Sequence, residues 1–108
     1  MKIRMQENNL RLRLTQQEVE QFLREGKVTT TTQIGPSPVH SLRYSLIREE
    51  EAEAVTATFI ANSIKVYVPA ALAETWARTA QVAIEEQMPL GDDEDEETLQ
   101  ILVEKDFR

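Results

Sequence analysis

Four cationic side chains near the start of the chain have a spacing that suits the binding of an anion. Lys2 and Arg4 alternate with apolar residues, as do Arg11 and Arg13, and Glu7-Asn8 between them suits a two-residue turn. In such a hairpin Lys2 faces Arg13 and Arg4 faces Arg11, so all four cations share one face. We call these four residues the basic hairpin.

The basic hairpin needs an acidic neighbour, because like charges opposite each other on a sheet are destabilising. We favour an internal partner, either Glu18, Glu20 or the acidic run Asp92–Glu97, or simple solvation. The alternative is an external anion, which includes the backbone of a nucleic acid. The second half of the chain has only Lys65 and Thr58 at the matching places, which weighs against a symmetric DNA-binding surface.

The other candidate metal-binding and catalytic residues do not indicate an enzyme. The run Asp92–Glu97 has carboxylates for calcium, but an EF-hand needs Gly at its sixth position and here Gly91 precedes the run, so we interpret it as a solvated loop. A basic partner for this run stays open as an alternative. His40 is the sole histidine and falls in a predicted loop, with no nucleophile elbow and no phosphate-binding glycine loop elsewhere. We expect no catalytic, metal or cofactor site, and no enzyme.

Composition indicates one soluble, cytoplasmic domain over residues 1–108. The chain has no cysteine, which fits a reducing compartment, and no apolar run of the ~20 residues that span a bilayer. Residues 1–54 are electrically neutral, so residues 55–108 carry the whole net charge of −7. This acidic balance ranks nucleic acid below a protein or a small anion as partner, and it leaves monomer or homodimer open.

The elements that position these residues follow from the hydrophobic pattern. Alternation over residues 2–6 and 9–14 predicts two strands. Thr15 and Glu18 form a capping-box pattern ahead of a helix over 16–25, and Gly26 suits its left-handed end. Alternation from Lys27 to Ile34 and from Leu42 to Arg48 predicts two more strands, so the first half is β-β-α-β-β.

The second half repeats this pattern at an offset of 54 residues. Leu10, Leu12 and Leu14 fall on Ile64, Val66 and Val68, and Phe22 falls on Trp76. The predicted elements are strands over 55–61 and 64–68, a helix over 70–78, a strand from Val82 and a last strand over 98–107. We interpret residues 1–54 and 55–108 as two copies of one unit, joined by a charged turn over 49–53.

Two resemblances accompany this pattern. Ile64-Lys65-Val66-Tyr67-Val68-Pro69-Ala70-Ala71-Leu72 resembles the signature of the AbrB and MazE swapped-hairpin unit, and the duplication within one chain resembles MraZ-like proteins. This likeness implies interleaved hairpins and a DNA-binding regulator, although the Asp-x-x-Gly-Arg segment of MraZ-like members is missing. The segments Met1–Arg4, Leu10–Thr15 and Ile101–Phe107 resemble a small bacterial family of unknown function, which supplies no activity.

The sequence therefore predicts an α+β fold in which two β-β-α-β-β units form one pseudo-twofold, swapped-hairpin-like barrel. Both helices are expected to cover its openings, with Phe22 and Trp76 buried at related positions. Its function is expected to be that of a non-enzymatic interaction module. The alternative is a DNA-binding regulator of the AbrB or MraZ type.

Overall fold

The computed structural model describes residues 1–91 and 97–107, so the acidic run lies outside the described residues except for Glu97. The described residues form an α+β fold, with eight strands and two α-helices in the order β-β-α-β-β-β-β-α-β-β. The strands are β1 (Lys2–Gln6), β2 (Asn9–Leu14), β3 (Lys27–Gln33), β4 (Ser41–Glu49), β5 (Thr56–Ile60), β6 (Ser63–Pro69), β7 (Ala83–Pro89) and β8 (Thr98–Lys105), and the helices are α1 (Gln16–Glu25) and α2 (Ala70–Arg78).

Strand pairing crosses between the two halves of the chain. One four-stranded sheet has the order β1-β2-β8-β7, and the other has the order β3-β4-β6-β5. Each sheet joins a hairpin from one half to a hairpin from the other through a parallel central pair, β2 with β8 and β4 with β6. Two separately closed halves, which would lack such pairing, are therefore not what the chain forms.

The described residues form two sheets and not the single closed barrel that the sequence suggested. Among the described residues no backbone ladder joins the two sheets, and side chains make two of the contacts between them. The Ala57 N–H of edge strand β5 lies 3.2 Å from the Sδ of Met88, on edge strand β7 of the other sheet. The Tyr44 hydroxyl, from β4, donates to the backbone oxygen of Met1 at 3.2 Å, next to edge strand β1.

The hydrophobic core fills the space between the sheets. Inward residues of the four central strands are almost fully buried, among them Leu12, Leu46, Val66 and Val103. The two helices pack against each other, and Phe22 and Trp76 are both buried, as the sequence predicts. The predicted capping box at Thr15 and Glu18 is present as well.

Both helices lie at one end of the sandwich, whereas the sequence predicts only that they cover openings of a barrel. The helices follow β2 and β6, whose parallel partners β8 and β4 run in the same direction as they do. All four central strands therefore end beneath the helices, where Arg48 donates to the Leu23 carbonyl and Lys105 to the Thr79 carbonyl. Neither α1 nor α2 covers the opposite end of the sandwich.

Candidate functional site

The basic hairpin has the register that the sequence predicts. Lys2 pairs with Arg13 and Arg4 with Arg11, while Met5 pairs with Leu10 on the inner face. Glu7 has a φ of 53°, in the left-handed region that such a tight turn requires. The four cations therefore share the outer face of the β1-β2-β8-β7 sheet.

Two carboxylates from the end of the chain neutralise most of this face. Glu104 lies beside Arg13 because β2 and β8 are parallel in that register, and its Oε1 is 2.9 Å from Arg13 Nε and 3.6 Å from Arg11 Nε. Asp106 reaches Lys2 Nζ at 3.2 Å and a terminal Arg13 nitrogen at 3.3 Å. The contact from Arg13 Nε has ion-pair distance without hydrogen-bond geometry.

Among the described residues, the internal partners are Glu104 and Asp106 and not the predicted Glu18 or Glu20. The acidic run, the other predicted partner, lies outside the described residues except for Glu97. Glu18 hydrogen-bonds to the Met1 ammonium and to Thr15. Burial raises the pKa of Glu18, but these hydrogen bonds outweigh it and the pKa falls below its usual value. Nothing in the sequence indicates that Glu104 and Asp106 lie beside the basic hairpin, because the pattern of a strand does not specify its neighbour.

Arg4 is exposed and forms no ion pair with any described residue. With Arg11 it lines a shallow depression of about 300 Å³ whose far side includes Glu85, from β7. A carboxylate thus already shares the space that an anion would enter. The basic hairpin offers an external anion one unpaired cation among its four.

A second surface, the apolar groove, opens at the end of the sandwich that faces away from the helices. It has a volume of about 480 Å³, within the range typical of ligand sites, which is about 300–1,000 Å³. Among the described residues, its polar lining consists of Glu7, Asn9 and Thr58. The apolar lining comprises Met5, Leu10, Leu42, Ala57, Phe59, Ile64, Met88, Leu90 and Leu99.

The apolar side chains at the rim of the apolar groove are unusually exposed to solvent. Met5 is 56% exposed, Phe59 69% and Leu90 47%. Isolated apolar side chains on a surface are ordinary, but a contiguous apolar patch with polar residues at its edge marks an interaction site. The groove and its rim form such a patch.

Sequence reasoning missed the apolar groove because its residues continue the same inward-facing pattern as the core. One signal was available. The lining comes in pairs at the 54-residue offset, Met5 with Phe59 and Leu10 with Ile64. These pairs precede and follow the two hairpin turns, which places them together at a strand end where no helix covers them.

Acidic groups flank the apolar groove. Glu7 lines it directly, at the turn between β1 and β2. The Leu90 N–H donates to the Glu97 carbonyl at 2.9 Å, which fixes Glu97 beside the rim. Most of the acidic run lies between Leu90 and Glu97 in the sequence. The prediction that this run is a solvated loop concerns residues outside the described part. Described carboxylates alone thus give the rim a negative charge.

Metal and membrane features add no further candidate. Within residues 1–91 and 97–107, no group of three or more His, Asp or Glu side chains is placed to hold a metal ion. His40 is exposed at the end of a short 3₁₀ turn, where its Nδ1 accepts from the Ser37 N–H at 3.3 Å. Neither described helix is long and apolar enough to cross a bilayer.

The match to a family of unknown function (DUF7009) extends over residues 1–108. The chain therefore belongs to this family. No curated protein and no solved structure gives a significant match to it. Any statement of function accordingly rests on the geometry of the chain itself.

Proposed function

We propose that this protein is a non-enzymatic interaction module, and that its apolar groove receives an apolar, positively charged segment of another protein. The single observation that carries the proposal is the groove with its exposed apolar rim, Met5, Phe59 and Leu90. We place the protein in the cytoplasm, which its cysteine-free composition favours.

The rim argues for a protein segment over a small molecule. A small apolar ligand would fill the groove and leave the rim residues Met5 and Phe59 largely in water, since these side chains are 56% and 69% exposed. A polypeptide would cover both the groove and the rim. Burial of a large apolar side chain contributes about 1.5–3 kcal/mol, so coverage of the rim supplies much of the binding free energy.

Charge favours a basic partner over a second copy of this chain. Glu7 and Glu97 flank the groove, and the whole chain carries a net charge of −7. Two identical copies would bring these carboxylates together, because a twofold contact places the same patch on both sides. Lysine or arginine residues beside apolar anchors would instead complement the acidic rim.

The test uses a labelled peptide of alternating leucine and lysine and a matched peptide of alternating leucine and glutamate, each titrated with the full chain by fluorescence anisotropy. We expect the lysine peptide to bind and the glutamate peptide to bind at least tenfold more weakly. Phe59→Asp should abolish binding. Phe107→Asp is the matched control, since Phe107 is 50% exposed and follows β8 at the helical end.

Equal binding of the lysine peptide to wild type and Phe59→Asp would overturn the proposal, as would no binding at all. Sedimentation velocity tests the other possible occupant of the groove, a second copy of this chain. A homodimer that Phe59→Asp converts to a monomer would assign the groove to a second copy. A monomeric wild type supports the proposal.

We also propose that the two halves descend from one duplicated swapped-hairpin unit of the AbrB type. The interleaved pairing of β2 with β8 and of β4 with β6 supports this origin. The DNA-binding activity that the resemblance implies has weaker support, because Glu104 and Asp106 pair with three of the four cations in the basic hairpin.

A further inference from the structure

The outer face of the β3-β4-β6-β5 sheet carries cations and hydroxyl groups in adjacent register positions. Arg43 pairs with Ser63, and Lys65 stands between Ser45 and Thr58. With Tyr67 and the edge residue Ile60, these side chains line a shallow depression of about 270 Å³. We call Arg43, Thr58, Ile60, Ser63, Lys65 and Tyr67 the hydroxyl depression.

Within the described part of the chain, both cations of the hydroxyl depression lack an acidic partner. No described Asp or Glu lines it, and neither Arg43 nor Lys65 forms an ion pair with any described residue. The cations of the opposite sheet do have acidic neighbours, since Glu104 and Asp106 lie among them. Two neighbouring cations on one sheet face repel each other unless an anion lies between them.

The donors of the hydroxyl depression match a doubly charged group with three acceptor oxygens. An arginine fork suits two oxygens at once, while a lysine acts as a point charge from another side. The hydroxyl groups of Thr58, Ser63 and Tyr67 add three donors. A carboxylate carries one charge and two oxygens, so it would leave part of this set unused.

We propose that the hydroxyl depression binds a phosphate monoester of a small organic molecule. A volume of about 270 Å³ accommodates the phosphate and a compact attached group. Ile60, which is 71% exposed at the sheet edge, offers that group an apolar contact. This site lies on a different face from the basic hairpin. It shares Thr58 with the apolar groove, but Arg43→Gln and Phe59→Asp test the two proposals separately, so either proposal can fail without the other.

Phenyl phosphate is the probe, added to the isotope-labelled full chain while backbone amide resonances are followed. We expect saturable shifts at Arg43, Ser63 and Lys65. Arg43→Gln and Lys65→Gln should each weaken binding about tenfold, the effect of losing one charge-assisted hydrogen bond. Arg4→Gln is the matched control, since Arg4 is exposed and unpaired among the described residues but belongs to the other sheet.

Methyl phenyl phosphate tests the charge requirement, because this diester keeps the ring and loses one charge. We expect it to bind at least tenfold more weakly than the monoester. Equal binding of the two esters would overturn the proposal, as would unchanged affinity in Arg43→Gln or shifts confined to the basic hairpin. A phosphotyrosine peptide that binds tenfold more tightly than phenyl phosphate would contradict the assignment to a small molecule. The amide spectra show in the same experiment that each variant is folded.

Discussion

The rings of Phe22 and Trp76 meet edge to face, with centroids 6.1 Å apart and ring planes inclined by 69°. The two residues stand 54 positions apart, at corresponding places of α1 and α2. Both are almost completely buried, and the Trp76 indole N–H donates to the Val82 carbonyl at 3.0 Å. This contact joins the two halves of the chain at the helical end of the sandwich.

Trp76→Ala should lower the free energy of unfolding by about 3–5 kcal/mol, because it empties a fully buried site. Denaturant unfolding measures this cost, and Phe107→Ala, at a half-exposed ring, should cost far less. The double variant with Phe22→Ala should show a coupling of about 0.5–1.5 kcal/mol, as for other aromatic pairs. A cost below about 1 kcal/mol for Trp76→Ala would contradict its place in the core.

The capping box of α1 should contribute stability that depends on pH. Thr15→Ala should cost about 1 kcal/mol at neutral pH. The folded-state pKa of Glu18 is below its usual value of 4.5, so its contribution is present above that value and is lost as the pH falls through the folded pKa. Unfolding of wild type and Glu18→Gln should therefore differ at pH 7 and converge in acid. A gap that widens toward low pH would contradict this sign.

Glu104→Gln should destabilise the chain and expose unpaired charge on the basic hairpin. The carboxylate lies 2.9 Å from Arg13 Nε, and both side chains are partly buried, at 18% and 29% exposure. We expect a cost of about 1–2 kcal/mol, between the values typical of surface and buried pairs. Thermal or urea unfolding measures it. Glu85→Gln is the control, since Glu85 forms no ion pair with a described residue, and an equal loss in both variants would contradict the prediction.

The isolated chain should show no measurable binding to a random DNA duplex at physiological salt. Four phosphate contacts by the basic hairpin would give a salt slope of about −3.6. Lys2, Arg11 and Arg13 already have internal partners, however, and the net charge of −7 opposes the encounter. Fluorescence anisotropy at low and physiological salt is the measurement. Micromolar binding that Arg11→Ala with Arg13→Ala abolishes would instead favour the regulator.

Local structure could be predicted from the sequence where one short stretch contains both the hydrophobic pattern of an element and the residues that begin and end that element. The hairpin register follows from alternation on either side of Glu7-Asn8. Helix α1 begins after the Thr15 cap and ends at Gly26, whose φ of 74° lies in the left-handed region. Boundaries shifted by a residue or two elsewhere, as in β8, which ends at Lys105.

Long-range placement could not be predicted in the same way. The alternation of apolar residues in β2 does not indicate that its parallel neighbour is β8. The ion pairs of Arg13 with Glu104 and Asp106 could therefore not be predicted. The shared end of the two helices follows from the same pairing. The apolar groove is a consequence of that arrangement, since Leu10 and Ile64 read as ordinary core positions until both helices are placed elsewhere.

The parallel pairing of β2 with β8 has a consequence for synthesis on the ribosome. Leu10 pairs with Ile101, so the first hairpin lacks its neighbour strand until almost the whole described chain has been translated. Contacts this distant in sequence slow folding. At about 5–20 residues per second, the nascent chain exposes the unpaired edge of β2 for several seconds. Synthesis therefore sets a lower limit on the time to the native state.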